Sequence, residues 1–141
     1  MSQSTVRYPV PETSGRLARR TGTGVLFAVV LVLLTQAIVD ALSIDVGVTG
    51  SMSPFAAGPL IGVSIVAGAG AAIAYAAVVK FTIQPVRNFV ALAVGVFVVM
   101  LVPVFFAPPE GITTAGQGIL VLYHALVAVP LVVFITGAVE V

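Results

Sequence analysis

Long apolar runs dominate the chain, and most polar positions fall between them. Residues 21–39, 46–79, 88–109 and 111–139 carry no charge, giving gaps of 19, 34, 22 and 29 residues. A helix needs roughly 20 apolar residues to cross a hydrocarbon core about 30 Å thick. Three gaps meet that length outright, and the first meets it when extended to Leu42. In lipid, backbone groups satisfy one another only in helices or closed barrels. A barrel strand alternates polar and apolar residues over about ten positions. The run Val25-Leu26-Phe27-Ala28-Val29-Val30-Leu31-Val32-Leu33-Leu34 does not alternate. The pattern therefore predicts an all-α integral membrane protein, an up-down bundle of four transmembrane helices over about 24–42, 59–79, 85–106 and 115–138.

Local signals support these ends. Pro59 and Pro85 suit a first helical turn, where a missing N–H costs nothing. Pro108-Pro109 cannot continue the third span. Thr113 or Thr114 can cap the fourth. The connection 80–84 is short, so spans two and three are expected to be antiparallel neighbours. Pro130 lies inside span four and frees the carbonyl of Leu126, where a kink is expected.

The distribution of charge adds orientation. The chain has six Lys and Arg. Arg7, Arg16, Arg19 and Arg20 precede the first span, and Lys80 and Arg87 flank the middle connection. The other two connections hold only Asp45 and Glu110. The positive-inside rule then places both termini in the cytoplasm, with the plasma membrane as the expected location. Residues 1–20 read as a mobile cytoplasmic arm, its segment 14–20 a lead-in lying on the headgroups, and residues 21–141 as the transmembrane domain. A competing reading is a signal peptide cleaved after Ala41, since Arg19-Arg20 precede an apolar run that ends in Val39-Asp40-Ala41. The Asp beside that point and the Thr21-Gly22-Thr23 after the arginines argue against it.

Composition excludes several function classes. Only 8% of residues are charged, against about 25% in soluble domains. Six scattered cations cannot neutralise a nucleic-acid backbone, so no nucleic-acid partner is expected. Without cysteine and with one histidine, no metal site is expected within the chain. Axial haem ligation by that histidine would need two chains, and no cofactor is expected.

Helices in a bilayer associate through close approach at small residues and through a few polar contacts. Ser64, Gly68, Ala72 and Ala76 recur every four residues on span two, with Gly62 at its outer end and Gly95 on span three. These positions predict a tight hairpin of spans two and three, with span two at the bundle centre. A homodimer interface is the alternative use of such a stripe.

Intramembrane ionisable residues point to function by default. The candidates are Asp40 and His124, with Gln36, Gln117, Tyr75 and Tyr123 as polar company. Gln36 and Asp40 share a face of span one, and Gln117 and His124 a face of span four. Counting 1.5 Å per residue from the assumed outer ends pairs Asp40 with Gln117 and Gln36 with His124. Such a cluster is either a structural latch or an outward-facing polar cavity for a small ligand or proton.

The layout resembles a family of small, uncharacterised four-span prokaryotic membrane proteins. The resemblance rests on Leu120-Val121-Leu122-Tyr123-His124-Ala125-Leu126-Val127, on Thr113-Thr114-Ala115 and on Leu101-Val102-Pro103. It implies a four-helix fold and supplies no activity or catalytic residue. Small drug transporters of similar length depend on a Glu within the first span, which this chain lacks. The expected function is that of a non-enzymatic membrane scaffold or accessory subunit, working in the lipid bilayer beside a second copy or a membrane partner. The alternative is a small carrier or sensor using the region of Gln36, Asp40 and His124.

Overall fold

A computed structural model describes residues 10, 11 and 13–139. It is all-helical, with α1 over Ser14–Ala41, α2 over Ala57–Phe81, α3 over Pro85–Phe106 and α4 over Thr114–Ile135. No strand occurs among the described residues. All four helices are long and apolar enough to cross a membrane. Two connections, 42–56 and 107–113, meet at one end of the bundle, here the two-loop end. The opposite, terminal end holds the start of α1, the end of α4 and the short connection 82–84.

The helix ends follow from local chemistry. Thr13 is extended, and its hydroxyl accepts from Arg16 N at 3.2 Å, so α1 begins well before the apolar run. Ser14–Arg20 is therefore helical and continuous with span one; residues 1–9 and 12 lie outside the described residues. Pro85 opens α3 at its first position. Thr113 caps α4 by accepting from Gly116 N at 3.0 Å. The end of α4 comes at Ile135, not near residue 138. Gly137 adopts φ +77°, and the N–H groups of Gly137 and Ala138 donate back to Phe134 O and Val133 O at 3.2 and 3.0 Å. This left-handed glycine closes the helix by satisfying its last carbonyls.

The packing order differs from the expectation. α2 and α4 each pack against all three other helices, so α4 shares the centre with α2, and α1 and α3 do not meet. α1 lies closest to α4. A Cβ at Gly24 would sit 3.3 Å from the Pro130 carbonyl oxygen and 3.4 Å from Leu131 Cα. α2 and α3 are adjacent but splayed. The small-residue stripe explains why. Ser64 and Gly68 are buried, but Gly68 faces Val25 of α1 and Leu131 of α4. Ala72 is half-buried and Ala76 exposed. Gly62 and Gly95 are exposed with no neighbouring atom within 4 Å of a built Cβ, so neither mediates the expected hairpin. α3 offers α2 the large side chains of Leu92, Phe97 and Met100. Bulk of that kind keeps two backbones apart, whereas Thr21 and Val25 of α1 fit over Gly68.

Two buried clusters hold the bundle. At the two-loop end, Val32, Phe55, Leu60, Val104, Leu120 and Tyr123 pack together, joined by Val46, Val48 and Ile112 from the connections. At the terminal end, Tyr75, Phe89, Leu131 and Ile135 pack together, with the Tyr75 and Phe89 rings edge to face at 5.1 Å. The two long connections are clasped to each other. Thr113 N donates to Val46 O at 3.1 Å, and the Thr113 hydroxyl donates to Asp45 O at 2.5 Å.

Candidate functional site

The polar residues singled out in the sequence, Gln36, Asp40, Gln117 and His124, sort into three separate arrangements. The first is a chain of hydrogen bonds across the α1–α4 seam. Tyr123 Oη donates to Gln36 Oε1 at 2.6 Å, and Gln36 Nε2 donates to Asp40 Oδ1 at 2.8 Å. Tyr123 is buried at 4% exposure, under the ring of Phe55 at 6.2 Å. The second is Gln117, whose Nε2 donates to Val104 O at 3.1 Å. That carbonyl would bond the N–H four residues on, but Pro108 has none. Gln117 thus ties α4 to the frayed end of α3. The third is His124, whose Nδ1 lies 2.6 Å from Leu120 O on its own helix.

The expected pairs therefore do not form. Asp40 meets Gln36, not Gln117, and Gln36 meets Tyr123, not His124. Depth had paired the residues, but azimuth around α4 decides the partners. Tyr123 and His124 are one residue, hence about 100°, apart on the helix. Both line the space between α2 and α3, but only the Tyr123 hydroxyl reaches across to α1.

That space is a lateral cleft of about 570 Å³, within the usual range of ligand pockets. Its walls are Ala67, Gly70 and Ala71 of α2 and Leu92, Val96 and Phe97 of α3, with α4 as the floor. Along α2 it runs from Pro59 to Ala74, about 22 Å at 1.5 Å per residue. Its only polar side chains are Ser64, Tyr123 and His124. The Ser64 hydroxyl donates to Leu60 O at 2.7 Å and is fully buried. The Tyr123 hydroxyl donates to Gln36. A carbonyl only accepts, so a proton sits on His124 Nδ1, and in the neutral ring Nε2 is then an acceptor on an apolar wall.

Residues 12–140 match the family of unknown function DUF6069. The chain belongs to that family. No curated protein and no solved structure matches it. In this DUF6069 chain, no group of three or more His, Cys, Asp or Glu among the described residues is placed to hold a metal ion.

Two functional positions escaped the sequence reading. Tyr123 counted only as polar company, although it supplies the bond across the seam. Arg20 read as a topology signal on the headgroups, but it is buried at 3% exposure. Its Nη1 donates to Ile135 O at 3.4 Å, and its guanidinium lies against Gly137, where a Cβ would come within 2.7 Å of Nη2. The last carbonyls of a helix attract cations, and Arg20 takes up Ile135 O, a carbonyl that the Gly137 turn does not bond. The signal was present: an Arg at the start of span one and a Gly at the end of span four fall at one membrane level.

Proposed function

We propose that this DUF6069 chain is a non-enzymatic accessory protein of the plasma membrane that holds an apolar membrane component in the cleft between α2 and α3. The observation that carries this reading is the cleft itself, long, open to the side and walled almost wholly by carbon. The Tyr123–Gln36–Asp40 chain serves as a latch between α1 and α4, and Gln117 as one between α4 and α3. Both leave the cleft free to open or fill without breaking the frame. A shared outward cavity of Gln36, Asp40 and His124 is not supported, because Gln36 bonds Tyr123 and Asp40 while His124 bonds only Leu120 O of its own helix.

Native mass spectrometry of the full chain from phosphatidylethanolamine–phosphatidylglycerol vesicles tests the reading. A lipid-mass adduct should persist in the parent protein and in Val66→Phe, where the residue is 72% exposed on the outward face. Ala71→Phe, which fills the cleft, should remove most of it. Equal retention in both variants would refute the cleft as the holding site.

The proposed orientation puts both termini in the cytoplasm. Arg16, Arg19, Lys80 and Arg87 all lie at the terminal end of the bundle, which the positive-inside rule assigns to the cytoplasm. Cysteines introduced at Ser51 and Glu110 should react with an impermeant maleimide in intact cells, and one at Gln84 should not. Labelling at Gln84 would reverse the orientation.

A further inference from the structure

We propose that the occupant of the cleft is a hydroquinone on a hydrocarbon tail, with one phenolic hydroxyl donating to Nε2 of His124. This inference rests on the reading of the cleft as a holding site and names the chemistry it selects.

The argument starts from depth. His124 is ten residues into α4, about 15 Å along a helix about 33 Å long, which is the middle of a membrane span. A histidine at that depth is costly and marks function by default. With Nδ1–H bound to Leu120 O, the neutral ring offers the cleft one acceptor and no donor. The matching ligand group is a neutral donor. A carboxylate or phosphate is an acceptor and is too costly at mid-depth, and an amine would arrive charged. An alcohol whose hydroxyl anchors at the headgroup layer does not reach this level. A hydroquinone on an apolar tail dissolves in the hydrocarbon core, stays neutral at pH 7 with hydroxyls of phenolic pKa, and donates well.

Shape agrees with this choice. The cleft runs about 22 Å along α2, enough for a ring and an extended tail. Phe97 lines the same wall space as His124, and an aromatic ring beside an aromatic side chain packs edge to face or offset. Ala67, Gly70 and Ala71 keep the opposite wall flat. The proposal concerns binding and includes no electron transfer.

The chain's single histidine makes the test direct. The full chain, labelled with ¹⁵N-histidine, is placed in lipid nanodiscs and titrated with decylhydroquinone under ascorbate. The Nε2 resonance should move upfield and saturate. The dimethyl ether of the same compound, which has no donor, should leave it in place. His124→Leu should weaken decylhydroquinone binding about tenfold, the loss expected when a donor is left unpaired in an apolar site. Ala71→Leu narrows the cleft from the α2 wall and keeps His124, and should weaken binding as well, which covers a His124→Leu protein that does not fold. Equal binding of the hydroquinone and its ether would overturn the hydroxyl–His124 assignment and leave the cleft reading standing. Absence of a saturable shift alongside a retained lipid adduct would do the same. Absence of both would overturn the two together.

Discussion

Gly68→Leu is expected to drive α2 away from α1 and to destabilise the bundle by about 3 kcal/mol, the upper end for overpacking. Even a Cβ at this position would overlap Val25 Cγ2, with Leu131 Cδ2 at 3.6 Å and Thr21 Cγ2 at 3.7 Å behind it. Val25 cannot retreat easily, because α1 is itself pressed on the Pro130 and Leu131 backbone at Gly24. Three helices therefore share the strain. Gly62→Leu, one helical stretch earlier on α2, adds the same side chain where nothing lies within 4 Å, and should stay within about 0.5 kcal/mol of the parent. Unfolding by SDS, followed by circular dichroism, measures both. Equal midpoints would show that α2 does not pack on α1 through Gly68.

Gly47→Ala is expected to cost about 3 kcal/mol, although Gly47 is exposed. Its φ of +80° disfavours any side chain, and a Cβ would overlap the Gly111 carbonyl oxygen and lie 3.0 Å from Thr113 N. Those neighbours are backbone and cannot rotate aside. The two connections would separate, and the bonds from Thr113 to Val46 O and Asp45 O would weaken. Gly50 isolates the two causes. It has φ +104° with nothing within 4 Å, so Gly50→Ala should show backbone strain alone, about 1 kcal/mol. Amide hydrogen exchange at Thr113 should accelerate in Gly47→Ala and not in Gly50→Ala. Unchanged protection at Thr113 in Gly47→Ala would show that the clasp does not depend on this glycine.

The four spans were legible before any coordinate, because lipid imposes one severe demand on a chain: about 20 apolar residues in a helix. α3 runs from Pro85 to Phe106 as the prolines at its two ends imply. The ends of α1 and α4 were read less well. The Thr13 cap and the left-handed Gly137 act through single backbone bonds that leave no trace in hydropathy. Which helices touch was decided by tertiary structure. A stripe such as Ser64, Gly68, Ala72 and Ala76 shows that some neighbour can come close, but not which one. The bulk of Leu92, Phe97 and Met100 turned α3 away, and Thr21 and Val25 brought α1 in.

The same limit governed the polar residues. Spacing along a helix determines depth well, since each residue advances it by 1.5 Å. It determines direction only relative to neighbours on the same helix. Gln36 and Asp40, four residues apart, could therefore be placed on one face of α1, where they bond each other. Across the seam, a turn of about 100° between Tyr123 and His124 let the Tyr123 hydroxyl reach Gln36 of α1 and left His124 facing the cleft without a bond to α1. The sequence by itself determined that His124 stands at mid-membrane with few polar companions. Only the rotation of α4, set by the packing of Gly24 on Pro130 and Leu131, decided that it faces an apolar cleft and not the latch.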